Sequence, residues 1–91
     1  MKEIRYSGQF KKDLKRFRHD ILKLTRLHAV VELLKNEQPL PPELKAHMLK
    51  GRLKGYMECH IENDLLLLWY DEDSDTIVLA RLGSHSFTLG L

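Results

Sequence analysis

The opening residues alternate. Glu3, Arg5 and Ser7 fall on one side of an extended chain and Ile4 and Tyr6 on the other, the period of two that marks a half-buried strand over residues 2–7. Ser7-Gly8 breaks this alternation and the period lengthens. Phe10, Leu14 and Phe17 recur at i, i+4 and i+7, the stripe of an amphipathic helix whose polar face is Lys11, Lys12, Lys15, Arg16 and Arg18. A second helix begins with Asp20 as its N-cap and carries Ile21, Leu24, Leu27, Val31 and Leu34 as an apolar seam, so the two read as a helical hairpin. Three prolines between Asn36 and Pro42 lack the amide donor and end the second helix in a surface connection.

Beyond the prolines the period returns to two. Tyr56, Glu58, His60 and Glu62 alternate with Met57, Cys59 and Ile61, a strand that follows Gly55. Leu65 to Tyr70 is continuously apolar between Asp64 and Asp71, as a central strand covered on both faces requires. Residues 71–75 read as a polar turn and Thr76 to Leu82 as the next strand, with links short enough for an antiparallel meander. The pattern predicts an α+β fold in one domain over 1–91. An N-terminal strand is followed by a two-helix hairpin packed on one face of a four- or five-stranded, mainly antiparallel sheet.

Composition narrows the class. Ninety-one residues suffice for one core, and a chain this short buries only about 60–65% of its unfolded surface, so it gains from a partner. One cysteine, Cys59, cannot close an intramolecular disulfide. A six-residue apolar maximum is far below the roughly 20 residues of a membrane helix, and Lys2, Glu3 and Arg5 replace the apolar stretch of a signal peptide. A reducing cytoplasm is the expected compartment, with no membrane partner. The formal net charge of +2 hides a division: fourteen of the fifteen Lys and Arg lie in residues 1–54 against six acids, a net +8, whereas the last 37 residues hold Arg81 against seven acids, a net −6. A basic half attracts polyphosphates and an acidic half repels them. Lys and Arg also solvate helix surfaces, so the asymmetry permits nucleic-acid binding without establishing it.

The histidines carry the chemistry. His19 and His28 fall on the hairpin surface, whereas His47, His60 and His85 occupy a loop, a strand and the segment past a strand end, places a meander can bring to one face. A histidine taken singly is more often structural than catalytic. Glu58 and His60, two apart on a strand, share a face, and Asp64 follows at the turn. A carboxylate beside imidazole fixes its orientation and favours its charged form. Two histidines of opposite role beside cations suit in-line RNA cleavage, in which a base takes the 2′-hydroxyl proton, an acid protonates the departing 5′-oxygen and positive groups hold the phosphorane. Lys50, Arg52 and Lys54 can supply those groups. This chemistry needs no metal or other cofactor. The spacings of 13 and 25 residues between the three histidines match no compact zinc pattern, and Gly51 and Gly55 are too sparse for a phosphate-cradling loop.

The run from His47 through Lys50, Gly51, Lys54, Gly55 and Tyr56, then Glu58, His60 and Asp64, then Gly83-Ser84-His85, resembles the YafQ branch of the RelE/ParE toxin superfamily. The likeness takes in the opening Ile4-Arg5-Tyr6-Ser7 with Phe10-Lys11-Lys12-Asp13, and the Pro39-Leu40-Pro41 link. It implies a bacterial type II toxin, a ribosome-dependent endoribonuclease that cuts mRNA in the decoding site and is held inactive by a cognate antitoxin. A small basic toxin suits an acidic antitoxin segment that folds on contact. The resemblance implies His47, His60, Asp64 and His85 as active-site residues, with Glu58 where the branch usually has aspartate. His47 is then the general base and His85 the general acid, roles that can be exchanged, while His60, oriented by Glu58, stabilises the phosphorane with Asp64. The branch's C-terminal phenylalanine, a base-stacking contact, is replaced here by Leu89, with Phe87 two residues earlier, where it also suits the edge of the core. Lys11, Lys12, Lys15, Arg16 and Arg18 are surplus to the chemistry and free for ribosomal RNA. A non-nuclease inhibitor of the ParE kind, and a plain RNA-binding module with incidental histidines, are the alternatives; mapping new mRNA ends on translating ribosomes separates them.

Overall fold

The alternating opening forms strand β1 (Glu3–Tyr6), and Ser7 both ends it and starts helix α1 (Gly8–Lys15). Its hydroxyl accepts the Phe10 amide at 2.9 Å and donates to the Ala80 carbonyl at 2.8 Å, so one side chain caps the helix and ties its start to the sheet. Asp20 caps α2 (Ile21–Lys35), accepting the Lys23 amide at 3.1 Å. There follow β2 (His47–Met48), β3 (Met57–Glu62), β4 (Leu65–Asp73), β5 (Thr76–Gly83) and the short α3 (His85–Thr88). The structure is a computed structural model and describes residues 1–88, so Leu89 lies outside the described residues.

The five strands form one sheet in the order β1-β5-β4-β3-β2. β1 lies parallel to β5, with Ile4 opposite Ile77, and the other pairs are antiparallel. Both helices cover one face. Phe10, Leu27 and Val30 pack there on Cys59, Leu67, Trp69, Ile77 and Leu79. The opposite face carries a smaller cluster of Leu66, Leu68 and Ala80, flanked by Leu49, Tyr56 and Tyr70. Apolar residues on both sides of β4 explain the unbroken run from Leu65.

Several expectations shift. β4 continues through Asp73, because residues 71–73 still pair with β5, and only Ser74 and Asp75 form the turn. β5 runs one residue further than expected, to Gly83. Phe17 lies beyond the end of α1 but still packs on the core. Ile21 is not part of the seam. It stands at the hairpin turn beside Lys15, Arg16, Arg18 and His19 and is 74% exposed, while Val30 takes the buried position. Tyr6 is half-exposed and stacks on Phe10 with ring centroids 5.6 Å apart. Among the described residues no helix is long and apolar enough to cross a membrane.

Candidate active site

His47 is not in a loop. With Met48 it forms the edge strand β2, which places it directly opposite Glu58. Two residues are too few to show a period, so the sequence could not reveal this strand. The His47 Nδ1 lies 2.8 Å from the Lys45 carbonyl, which can only accept, so this nitrogen carries the hydrogen and Nε2 is left to face the site. Lys45 presents that carbonyl from a left-handed backbone conformation (φ 52°), a strained geometry of the sort found at functional sites. Nothing in the sequence marks this contribution, because it comes from the main chain.

The His47 Nε2 stands 3.4 Å from Glu58 Oε1, and the His60 Nε2 stands 3.9 Å from the same oxygen. Glu58 is 2% exposed, and its Oε2 is buried with no hydrogen-bond partner among the described residues. One buried carboxylate therefore sits between two histidines that remain partly open to solvent. A buried carboxylate with one oxygen lacking a hydrogen-bond partner is costly without compensation, and the two imidazole nitrogens are the polar groups placed beside its other oxygen. Cys59 points into the helix-covered core instead, where burial foremost, and the nearby Glu58 charge second, push its thiol up to about 12.

Asp64 and His85 meet at the adjoining end of the sheet. The Asp64 Oδ1 accepts the His85 backbone amide at 3.2 Å, tying the β3–β4 turn to the start of α3. His60 pairs with Leu66 and Leu66 with Gly83, so Gly83, two residues before His85, lies two strands, about 10 Å, from His60. A bulge after His60 turns the strand, and Glu62 beyond it binds Lys23 at 3.3 Å and Arg26. The residues expected from sequence thus form two groups, His47–Glu58–His60 through their side chains and Asp64–His85 through the His85 main chain, joined through the register of the sheet.

Lys50, Arg52 and Lys54 are all exposed around a 3-10 turn at Gly51–Leu53, on the approach to β3. Lys11, Lys12, Lys15, Arg16 and Arg18 are exposed along α1 and the hairpin turn. Phe87 is half-buried, with the Arg16 and Arg81 guanidiniums 4.3 and 4.6 Å from its ring centre. It packs so closely on Gly83 that a Cβ there would fall 2.8 Å from its ring. Phe87 therefore anchors α3, and Arg16 belongs in part to that anchor.

One pair was not singled out for a role from sequence. Asp13 is 2% exposed and accepts Arg81 Nε at 2.8 Å, Arg81 Nη2 at 3.3 Å and the Leu82 amide at 2.9 Å. The signal was present: Asp13 falls within the Phe10–Leu14–Phe17 stripe, and Arg81 is the lone cation of a buried strand. Among the described residues no group of three or more His, Cys, Asp or Glu is placed to hold a metal ion.

Residues 2–89 match the family described as bacterial toxin of type II toxin-antitoxin system, YafQ. The mRNA interferase toxin YafQ of Escherichia coli K12 is 38% identical over 92 residues, covering 98% of this chain and 97% of that protein. A metal-bound toxin from Helicobacter pylori superposes with a TM-score of 0.85 at 45% identity, covering 96% and 98% of the two chains. The toxin in the E. coli DinJ–YafQ complex gives 0.82 at 33% identity, covering 96% and 97%. With a site of histidines and carboxylates on a sheet backed by a basic helical hairpin, and a match along nearly its whole length, the chain belongs to the YafQ family of type II toxins.

Proposed function

We propose that the chain, an mRNA interferase toxin of this family, cuts mRNA on the ribosome by acid–base catalysis at the His47–Glu58–His60 and Asp64–His85 groups. The observation that carries this reading is the buried Glu58 carboxylate between His47 and His60. His47, its Nδ1–H tied to the Lys45 carbonyl, takes the 2′-hydroxyl proton at Nε2. The 2′-oxygen then attacks the adjacent phosphorus in line with the departing 5′-oxygen, which His85 protonates. His60, held by Glu58, stabilises the phosphorane by hydrogen bonding, together with the positive charges of Lys50, Arg52 and Lys54. Asp64 acts on His85 through its backbone amide and so sets the position of α3. Lys11, Lys12, Lys15, Arg16 and Arg18 bind ribosomal RNA phosphates. An acidic antitoxin segment covers the cationic surface in the resting cell, as the E. coli relative is paired with DinJ.

The test maps new mRNA ends on translating ribosomes with wild-type, His47→Ala and His85→Ala proteins. Each substitution lowers the cleavage rate by roughly 10²–10⁴-fold. Wild-type rates in both variants overturn the assignment.

A further inference from the structure

The face of the sheet that the helices leave uncovered holds more than the catalytic groups. Cross-strand pairing sets Glu58 opposite Leu68 and His60 opposite Leu66, so these four side chains share a face. Two residues further along β4 on that face comes Tyr70, and two residues before Glu58 comes Tyr56. The two rings meet edge to face, with centroids 5.3 Å apart and planes at 75°. Tyr56 is fixed by its backbone, since its amide donates to the Leu53 carbonyl at 3.1 Å and its carbonyl accepts the Leu49 amide at 2.9 Å. Beside the pair lies a cavity of about 240 Å³, lined by Lys54, Gly55, Tyr56, Tyr70 and Asp71.

We propose that this cavity is a nucleobase subsite, in which Tyr56 and Tyr70 stack the mRNA base adjoining the cleaved phosphate and Lys54 neutralises its phosphate. The inference rests on placing cleavage at the His47–Glu58–His60 group. Four features support it. The cavity is smaller than the roughly 300–1,000 Å³ of pockets that enclose a drug-sized ligand, a size suited to one planar ring system. An edge-to-face pair leaves ring surface uncovered, and both tyrosines are only half-buried. Two residues of strand separate Tyr56 from Glu58, about 7 Å, within the reach of one nucleotide unit. Lys54 is exposed at the rim, as a phosphate partner must be, while the Asp71 carboxylate, 3.3 Å from Lys2 Nζ, can only accept and so suits a base edge bearing N–H groups. Aromatic stacking tolerates every base because each has a π-face, so the subsite contributes affinity and positioning more than sequence readout.

The experiment uses the full-length toxin with ribosomes programmed by an mRNA carrying 2-aminopurine beside the cut position. A 2′-O-methyl group at the scissile nucleotide blocks cleavage in the binding arm, and an unblocked mRNA is used for kinetics. Wild-type toxin quenches the 2-aminopurine fluorescence through stacking. Tyr70→Leu and Tyr56→Leu keep the apolar volume but lack the π-face, so quenching is lost and KM rises roughly 5- to 150-fold, the affinity a stacked base contributes. The single-turnover rate at saturation falls less, and Tyr70→Phe restores both signals. Urea midpoints identify any variant that has simply unfolded, and for such a position the Phe variant and the quenching of the wild type decide. Unquenched fluorescence with wild-type toxin, or Leu variants that match wild type in quenching and KM, makes the pair a packing contact only and overturns the proposal. His60→Ala separates the two readings: cleavage at the wild-type rate in that variant refutes the placement of the chemistry, while quenching in the blocked complex still reports on the base.

Discussion

Replacing Asp13 by alanine removes one half of a buried ion pair and leaves the other in place. Arg81, 8% exposed, loses partners at 2.8 and 3.3 Å, and the Leu82 amide loses its acceptor at 2.9 Å. Removing one partner of a buried pair costs about 3–5 kcal/mol, because the remaining charge is left uncompensated. A domain of this length is stable by about 5–14 kcal/mol in total, so the loss runs from about a fifth of that to all of it. With a urea slope near 1.5 kcal/mol per M, the unfolding midpoint falls by about 2–3 M. A double variant, Asp13→Leu with Arg81→Met, is less destabilised than Asp13→Ala, since neither partner is then left charged in the core. A fall of less than about 1 kcal/mol in Asp13→Ala, the cost of an exposed pair, refutes the reasoning.

Charge and burial set the remaining expected outcomes. Changing Lys11, Lys12 and Lys15 together to Gln weakens ribosome binding and flattens the log–log salt slope by about 2–3, with the urea midpoint unchanged because the stripe beneath is untouched; equal affinity at low and moderate salt counts against a ribosomal role. The Cys59 thiol, raised to about 12 by burial and by Glu58, stays protonated and does not react with thiol reagents at pH 8 until the protein unfolds. Because the unfolded thiol ionises near pH 9 and the folded one near 12, its contribution to stability is complete below pH 9 and declines as pH rises through that window, which urea titrations at pH 8 and 10.5 can measure.

Some elements were legible because their signal is local. The cap at Asp20, the stripe of α1 and the two-sided burial of β4 each follow from a few neighbouring residues whose spacing leaves one workable conformation. The α2 seam holds at Leu27, Val31 and Leu34 and departs from expectation at Ile21, since a period of 3.6 permits several stripes and only contact with the sheet selects one. Strand β2 carries no signal of its own, because pairing with β3, and nothing within its own two residues, makes it a strand.

The residue types of the site were visible in the sequence as well, through the family motif that runs from His47 to His85. Their grouping was not. That His47 and His60 converge on one oxygen of Glu58, that Asp64 reaches His85 through its main chain, and that Lys45 orients His47 with a carbonyl all depend on strand register and backbone geometry. The same holds for Asp13 and Arg81, 68 positions apart, and for the tyrosine pair beside Glu58. Composition and periodicity act over a few residues and therefore determine elements and which face of each is buried. Contacts between distant positions exist only once the sheet has fixed its register, so the tertiary structure decided which of these groups lie together.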